Sequence, residues 1–388
     1  GGESTVVAEV SAHIEDVGLG DYQWEQVLLL ACFFLAEASE LDVISPLTTA
    51  WRLEWALVTD QVALLASVGF AGFALGTFIS GLVGDRVGRR VPILAGYVGT
   101  IIGALGMWSA STPLVVGFFR AVAGFSVGLG VPAALTMVSE ISPAKSRGQL
   151  LSSCYVAIAI GALYADLGLF FFLPDLRSGD WRSLCLWSGL PAAVALPFGW
   201  LALEDTPSFY AAKGDMASLS RVLSKMSEQN KRPDIVWRPS LVSAERLPPA
   251  TSAAAPPSAA GQVAENSSNP LASVLEAVSS SGLPLACCAI LDFTYNFVGF
   301  GIGYFFPVAF SELADSATLP PIAELVLSNL VTFPALFLAY SALSSDLGNK
   351  AILFAAGCVE IVAILCLIAG SPGTALQLVG VLALKLAS

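Results

Sequence analysis

The stretch GLVGDRVGRR at residues 81–90 decides how the rest of the chain is read. It sets three arginines and an aspartate directly behind an apolar, glycine-rich run. Gly84 and Gly88 supply the permissive backbone and close approach that a tight turn between two helices needs. Asp85 can accept charge-assisted bonds from Arg89 or Arg90, or cap a helix amino terminus. Arg86 completes the cluster. A plain basic loop that fixes topology would not require the aspartate and both glycines at this spacing.

Outward from that turn, apolar stretches long enough to cross ~30 Å of hydrocarbon recur along the chain. They fall near 27–49, 62–83, 91–110, 113–138, 150–173, 183–203, 283–310, 321–343 and 350–370, and a shorter run begins at 374. The composition agrees: 55% of residues are apolar and 12% charged, against roughly 25% charged in a soluble domain. The spacing predicts an all-α polytopic membrane protein held in a lipid bilayer. Lys plus Arg is 18 and Asp plus Glu is 30, for a net charge of −12. No basic face is left to neutralise phosphates, which excludes nucleic acid as a partner.

The seven cysteines all sit in apolar runs without Cys-x-x-Cys spacing, so neither a metal site nor a disulfide framework is expected. No triad, phosphate loop or cofactor motif appears, so an enzyme is disfavoured and no cofactor is expected. His13 lies in what reads as a polar amino-terminal tail.

Basic residues set the expected orientation. With the amino terminus in the cytosol, the cytosolic loops hold thirteen Lys and Arg, and the opposite side holds Arg52, Arg177 and Arg182. This is a positive-inside bias. The domains read as a cytosolic tail at 1–26, a six-helix bundle at 27–203 and a cytosolic linker at 204–282. A partial second bundle, helices seven to nine and part of ten, follows at 283–388. The Pro/Ala/Ser-rich segment at 247–260 reads as disordered. DRVGRR at 85–90 returns in worn form as SDLGNK at 345–350, an offset of 260 residues. Two pseudo-repeated six-helix halves joined by a linker are the parallel-repeat plan of secondary transporters. On that plan about two helices would lie beyond Ser388, so the sequence reads as a fragment.

The turn at 81–90 resembles the loop between helices two and three of the major facilitator superfamily. FFRAVAGFSVGLGVPAALTMVSE at 118–140 is similar to that superfamily's fourth helix with its membrane arginine, here Arg120. SEISPAKSRG at 139–148 resembles the loop that follows, with Glu140 and Arg147. LEDTPSFYAAKGD at 203–215 looks like the acidic-Ser-Pro-Arg pattern after helix six, but Ser208 stands where the pattern has arginine. GLGDYQW at 18–24, AEASELDVISPL at 36–47 and EWALVTDQVALLASVGFAG at 54–72 resemble the sugar-porter-like branch of the synaptic vesicle glycoprotein and its related proteins. That branch's first helix carries Asp-Ala-x-Glu; Glu37, Ala38 and Glu40 stand at those positions, with glutamate in place of the aspartate. The resemblance implies a gating role for Gly84, Asp85, Arg86, Gly88, Arg89, Arg90, Glu140 and Arg147.

Glu37 and Glu40 are three residues apart and share a helix face near mid-membrane. Arg120 enters from helix four at about the depth of Glu40. Ionisable groups at that depth normally face a partner or a cavity, which makes Glu37, Glu40 and Arg120 the candidate proton-coupling set. Asp166, Asp292, Tyr295, Asn296 and Tyr304 are candidate solute contacts. The expected function is proton-coupled alternating-access transport of a small organic solute, such as an organic ion, vitamin-like acid or sugar, by a monomer. The rival is a non-transporting membrane protein with a trafficking or binding role.

Overall fold

The computed structural model describes residues 3–237 and 320–343, with 358, 359 and 362 beyond them. The described residues are helical, with no strand among them: α1 (Glu3–Val17), α2 (Asp21–Asp42), α3 (Ile44–Trp55), α4 (Thr59–Val87), α5 (Arg90–Trp108), α6 (Pro113–Ile141), α7 (Arg147–Phe172), α8 (Trp181–Ala202), α9 (Pro207–Lys213), α10 (Met216–Gln229), α11 (Pro321–Leu330) and α12 (Thr332–Leu343). By length and composition, α4 to α8 are each able to cross a membrane. The stretch at 283–310, with Asp292, Tyr295, Asn296 and Tyr304, lies outside the described residues, as do most of 350–370 and all of 374–388.

Two expected spans are broken, and proline explains both. The first span becomes α2 and α3, parted at Val43. The second becomes α11 and α12, parted at Val331. Pro46 and Pro334 each follow the last residue of the preceding helix by four. A proline ring cannot bond to the carbonyl four residues back and clashes with it. Starts elsewhere are built from side-chain caps. Thr112 accepts from Val115 N with Pro113 at the first helical position. Asp180 accepts from Ser183 N at 3.1 Å, and Asp215 from Ser218 N at 3.0 Å.

Helices α4 and α6 pack with their backbones almost in contact. A methyl group added at Gly72 or Gly76 would strike the carbonyl oxygens of Ala121 and Phe125. One added at Gly124 or Gly128 would strike those of Gly69 and Phe73. Ser80 Oγ, on the same stripe, donates to Leu129 O at 2.6 Å. Lipid tails are as apolar as leucine, so such close contact is what draws membrane helices together. One apolar core joins α2, α5, α6, α7 and α8 around Phe33, Tyr97, Met137 and Leu150. A second, toward the opposite end of the bundle, gathers Trp51, Leu169, Leu173, Trp181 and Ile322. There Trp51 and Trp55 meet Trp181 edge-on, and Trp181 Nε1 donates to Glu54.

The amino-terminal segment departs from the tail expected of it. Val6, Val10, Ile14 and Val17 form one face of α1 and are buried against Ala211, Leu219, Val222 and Met226 of α9 and α10. Glu15 Oε1 accepts from Ala144 N at 2.6 Å, and Asn230 Nδ2 donates to Gly18 O at 3.0 Å. His13 is buried in this contact and shares a 3.4 Å hydrogen bond with Ser227 Oγ. The spacing of those apolar residues, four, four and three, is a helical stripe that was available in the sequence.

Burial pushes the His13 pKa below its ordinary 6.5, against an opposing pull from Asp16. A depressed histidine pKa favours the folded contact above about pH 6.5 and weakens it as pH falls through the lower folded value. The protection factors of residues 3–17 against hydrogen exchange, taken relative to the intrinsic rate at each pH, are therefore expected to fall on acidification to pH 5, and His13→Gln should flatten that dependence. Separately, Gly124→Ala should lower the melting temperature by an amount equivalent to about 1–3 kcal/mol. Gly81→Ala, which meets nothing within 4 Å, should be neutral or mildly stabilising.

Candidate functional site

Among the described residues, one ion pair is sealed inside the bundle. Arg120 Nη1 of α6 lies 2.8 Å from Glu40 Oε1 of α2, with the side chains 3% and 1% exposed. The other carboxylate oxygen, Oε2, accepts from Ser188 Oγ of α8 at 2.9 Å. Ser39 Oγ donates to Ser188 O at 2.9 Å and so joins α2 to α8 a second time. Gly69 of α4 makes room for the arginine: a Cβ there would sit 2.8 Å from Arg120 Nε. Four helices thus converge on one charge pair. Neither ion is tolerable alone in this setting.

Glu37 lies one turn earlier on α2. Its Oε2 is buried with no hydrogen-bond partner among the described residues, and so is Arg120 Nε. Of the expected coupling set, Glu40 and Arg120 are in contact, and Glu37 is a neighbouring carboxylate not engaged by the arginine. Asp166 is 1% exposed but belongs elsewhere. Its Oδ2 accepts from Asn329 Nδ2 of α11 at 2.9 Å, and the same nitrogen lies 3.2 Å from Asp42 Oδ2.

The second cluster is the turn after α4. Arg89 Nη1 pairs with Asp85 at 2.8 Å, and Arg89 Nη2 reaches Glu140 of α6 at 3.4 Å. Glu140 in turn accepts from Thr206 Oγ1, which also caps α9. Arg90 N donates to Asp205 Oδ1 at 2.8 Å, and Arg90 Nη2 donates to Trp200 O. Gly88 has φ of +95°, and a side chain there would run into the Asp205 carboxylate. Gly84 faces the Arg89 side chain. Arg86 and Arg147 are exposed. Burial pushes the Asp205 carboxyl up, with the Arg90 amide and the charges of Arg90 and Arg89 pulling it down.

Asp205 and Thr206 escaped selection as site residues, although they lie in the quoted LEDTPSFY stretch. The loop that lost its arginine at Ser208 regains an ion pair from another element: Lys225 Nζ of α10 lies 2.9 Å from Glu204 Oε1. Pairings of that kind depend on where α10 folds back.

Helices of this length around a buried pair and a charged inter-helix turn define a membrane transporter of the major facilitator fold. The Sugar (and other) transporter family matches residues 33–383. The chain belongs to that family, one of membrane transporters rather than enzymes. Synaptic vesicle 2-related protein of Xenopus laevis is 30% identical over 223 residues, 57% of this chain and 39% of that protein. The gallate transporter of Pseudomonas putida is 24% identical over 221 residues, 56% of this chain and 48% of that protein. The chain therefore spans less than half the length of these curated relatives. A partially occluded inward-open structure of the xylose transporter XylE from E. coli superposes with a TM-score of 0.70 at 16% identity. That match covers 94% of this chain and 81% of the other, and it shows the fold.

Removing one partner of a buried pair leaves an uncompensated charge. Arg120→Ala should cost about 3–5 kcal/mol of stability, and adding Glu40→Gln to it should recover much of that. Thermal unfolding in detergent measures both. At the turn, Glu140→Ala should cost about 1–3 kcal/mol by stranding Thr206 and Arg89. Asp85, 71% exposed, should cost under about 1 kcal/mol as Asp85→Asn.

Proposed function

We propose that the protein is a proton-coupled secondary transporter that moves a small organic solute by alternating access, with its amino terminus in the cytosol. The Glu40–Arg120 pair carries this reading. A carboxylate buried in a membrane bundle is stable while the arginine neutralises it, or while it holds a proton. Protonation of Glu40 cancels the charge that holds Arg120. The guanidinium then takes another acceptor, which is the solute or the unengaged carboxylate of Glu37 one turn away. Loss of the proton restores the pair and expels the competitor. Binding of proton and solute are thereby linked through one cation.

Acidic groups outnumber the single intramembrane arginine, which supports a cationic or polyhydroxy solute. A relative named as a gallate transporter supports an aromatic acid held by Arg120. Asp292, Tyr295, Asn296 and Tyr304 from helix seven, with Asp166 of α7, are the proposed solute contacts. The network of Asp85, Arg89 and Glu140, with Gly84, Arg86, Gly88, Arg90 and Arg147 around it, is the proposed gate at the cytosolic end. Similarity to a synaptic vesicle 2-related protein, together with Ser208 and Ser345 at positions where the family has charge, supports the second reading of a binding or trafficking role.

Reconstitution of the full-length protein in vesicles separates the readings. Under an inward proton gradient the wild type should accumulate solute. Glu40→Gln should abolish accumulation and keep downhill exchange, because its neutral side chain mimics the protonated acid. Accumulation by Glu40→Gln would remove Glu40 as the coupling site. Absence of proton-driven uptake by the wild type across a panel of sugars, amines and aromatic acids would select the second reading.

A further inference from the structure

The two halves of the chain meet where α11 lies against α7. Ile322 and Leu325 of α11 are buried in the same core as Leu169 and Leu173 of α7. Beside that contact runs a cleft of about 580 Å³ with apolar walls, among them Leu163, Leu167, Phe170, Val326 and Leu330. Apolar walls gain little from meeting each other where lipid tails can replace them. Polar contacts between the halves therefore add a directional hold to the packing at this end.

Asn329 makes such a contact. Its amide nitrogen donates to Asp166 Oδ2 of α7 at 2.9 Å and to Asp42 Oδ2, the last residue of α2, at 3.2 Å. Asn329 is 2% exposed and Asp166 1%. One NH2 group has two hydrogens set ~120° apart, and both are directed here at carboxylates of the other half. The amide also stands between two acids that would otherwise repel each other in a buried place. The neighbouring Ser328 Oγ is buried with no hydrogen-bond partner among the described residues. The site lies 19 residues into α7 and at the far end of α2, remote from the Gly84–Arg90 turn.

We propose that Asn329, gripping Asp42 and Asp166, is the latch that closes the transporter at the end opposite the Gly84–Arg90 turn, and that its release is a step of the transport cycle. This rests on the alternating-access reading. When the halves part, α11 carries the amide away from Asp42 on α2 and Asp166 on α7. Asn329 is a positioning residue here.

Accessibility of a cysteine at the seam tests the latch without measuring transport. In the full-length reconstituted protein, Ser328→Cys is treated with a membrane-impermeant maleimide, with the parent protein giving the background of the native cysteines. The sealed seam should react slowly. Adding Asn329→Leu should raise the labelling rate about tenfold, and Asn329→Asp, which sets a third carboxylate against the other two, should raise it at least as much. Asn329→Gln, which keeps the NH2 group, should fall between. Labelling unchanged by both Asn329→Leu and Asn329→Asp would overturn the latch, even if the protein transports. Faster labelling in a protein that carries no solute would leave Asn329 as the contact that seals this end, and overturn both the transport reading and the latch's place in a transport cycle.

Discussion

The constraint on which the bundle depends is that Glu40 and Arg120 have no water to turn to. Each would be costly alone at that depth, so α2 and α6 are obliged to present them to each other at 2.8 Å. Ser188 of α8 supplies the second carboxylate oxygen with a donor, and Gly69 of α4 leaves the space the guanidinium fills. A pair of this kind is a weak source of stability compared with well-packed apolar groups. Its value lies in fixing which helices are neighbours.

Around that pair the protein uses two different kinds of contact. Between α4 and α6 the contact is steric, because glycines let carbonyl and Cα groups touch and no side chain can give way. Between α7 and α11, among the described residues, it combines an apolar cleft with an amide that serves two acids. The first suits a rigid half. The second suits the boundary that opens in the proposed alternating-access cycle. At the other end, the turn after α4 is tied to α6 by Arg89 and Glu140 and to the start of the linker by Arg90 and Asp205. Motion of that turn is therefore felt in the linker helices and, through Glu204 and Lys225, in α10.

Much of the fold was legible because membrane helices obey simple rules of length and hydropathy. The stretches at 62–83, 91–110, 113–138, 150–173 and 183–203 match α4 to α8 to within a few residues. The breaks at Val43 and Val331 were not drawn, although Pro46 and Pro334 announce them, since an apolar run continues straight through each. The helix at 3–17 was passed over because its four apolar residues stand among acids and polar groups. Its stability comes from α9 and α10, more than 190 residues away in sequence, so no local signal sets its strength.

The sequence by itself determined the class of the protein: apolar runs with few charges can be satisfied by helices in lipid, and the 81–90 turn with Arg120 and Glu40 marks the kind of bundle. Spacing also showed which acids share the first helix. What the tertiary structure decided is which of them is answered. Glu40 and Glu37 are equivalent on a helical wheel, yet Arg120 meets only the former, because helix rotation and the room at Gly69 are settled by packing. Asp42, Asp166 and Asn329 come from three separate stretches of chain and become one contact only when α11 is laid against α7. A pairing between distant segments depends on distances that hydropathy and spacing do not contain, and close packing alone supplies them.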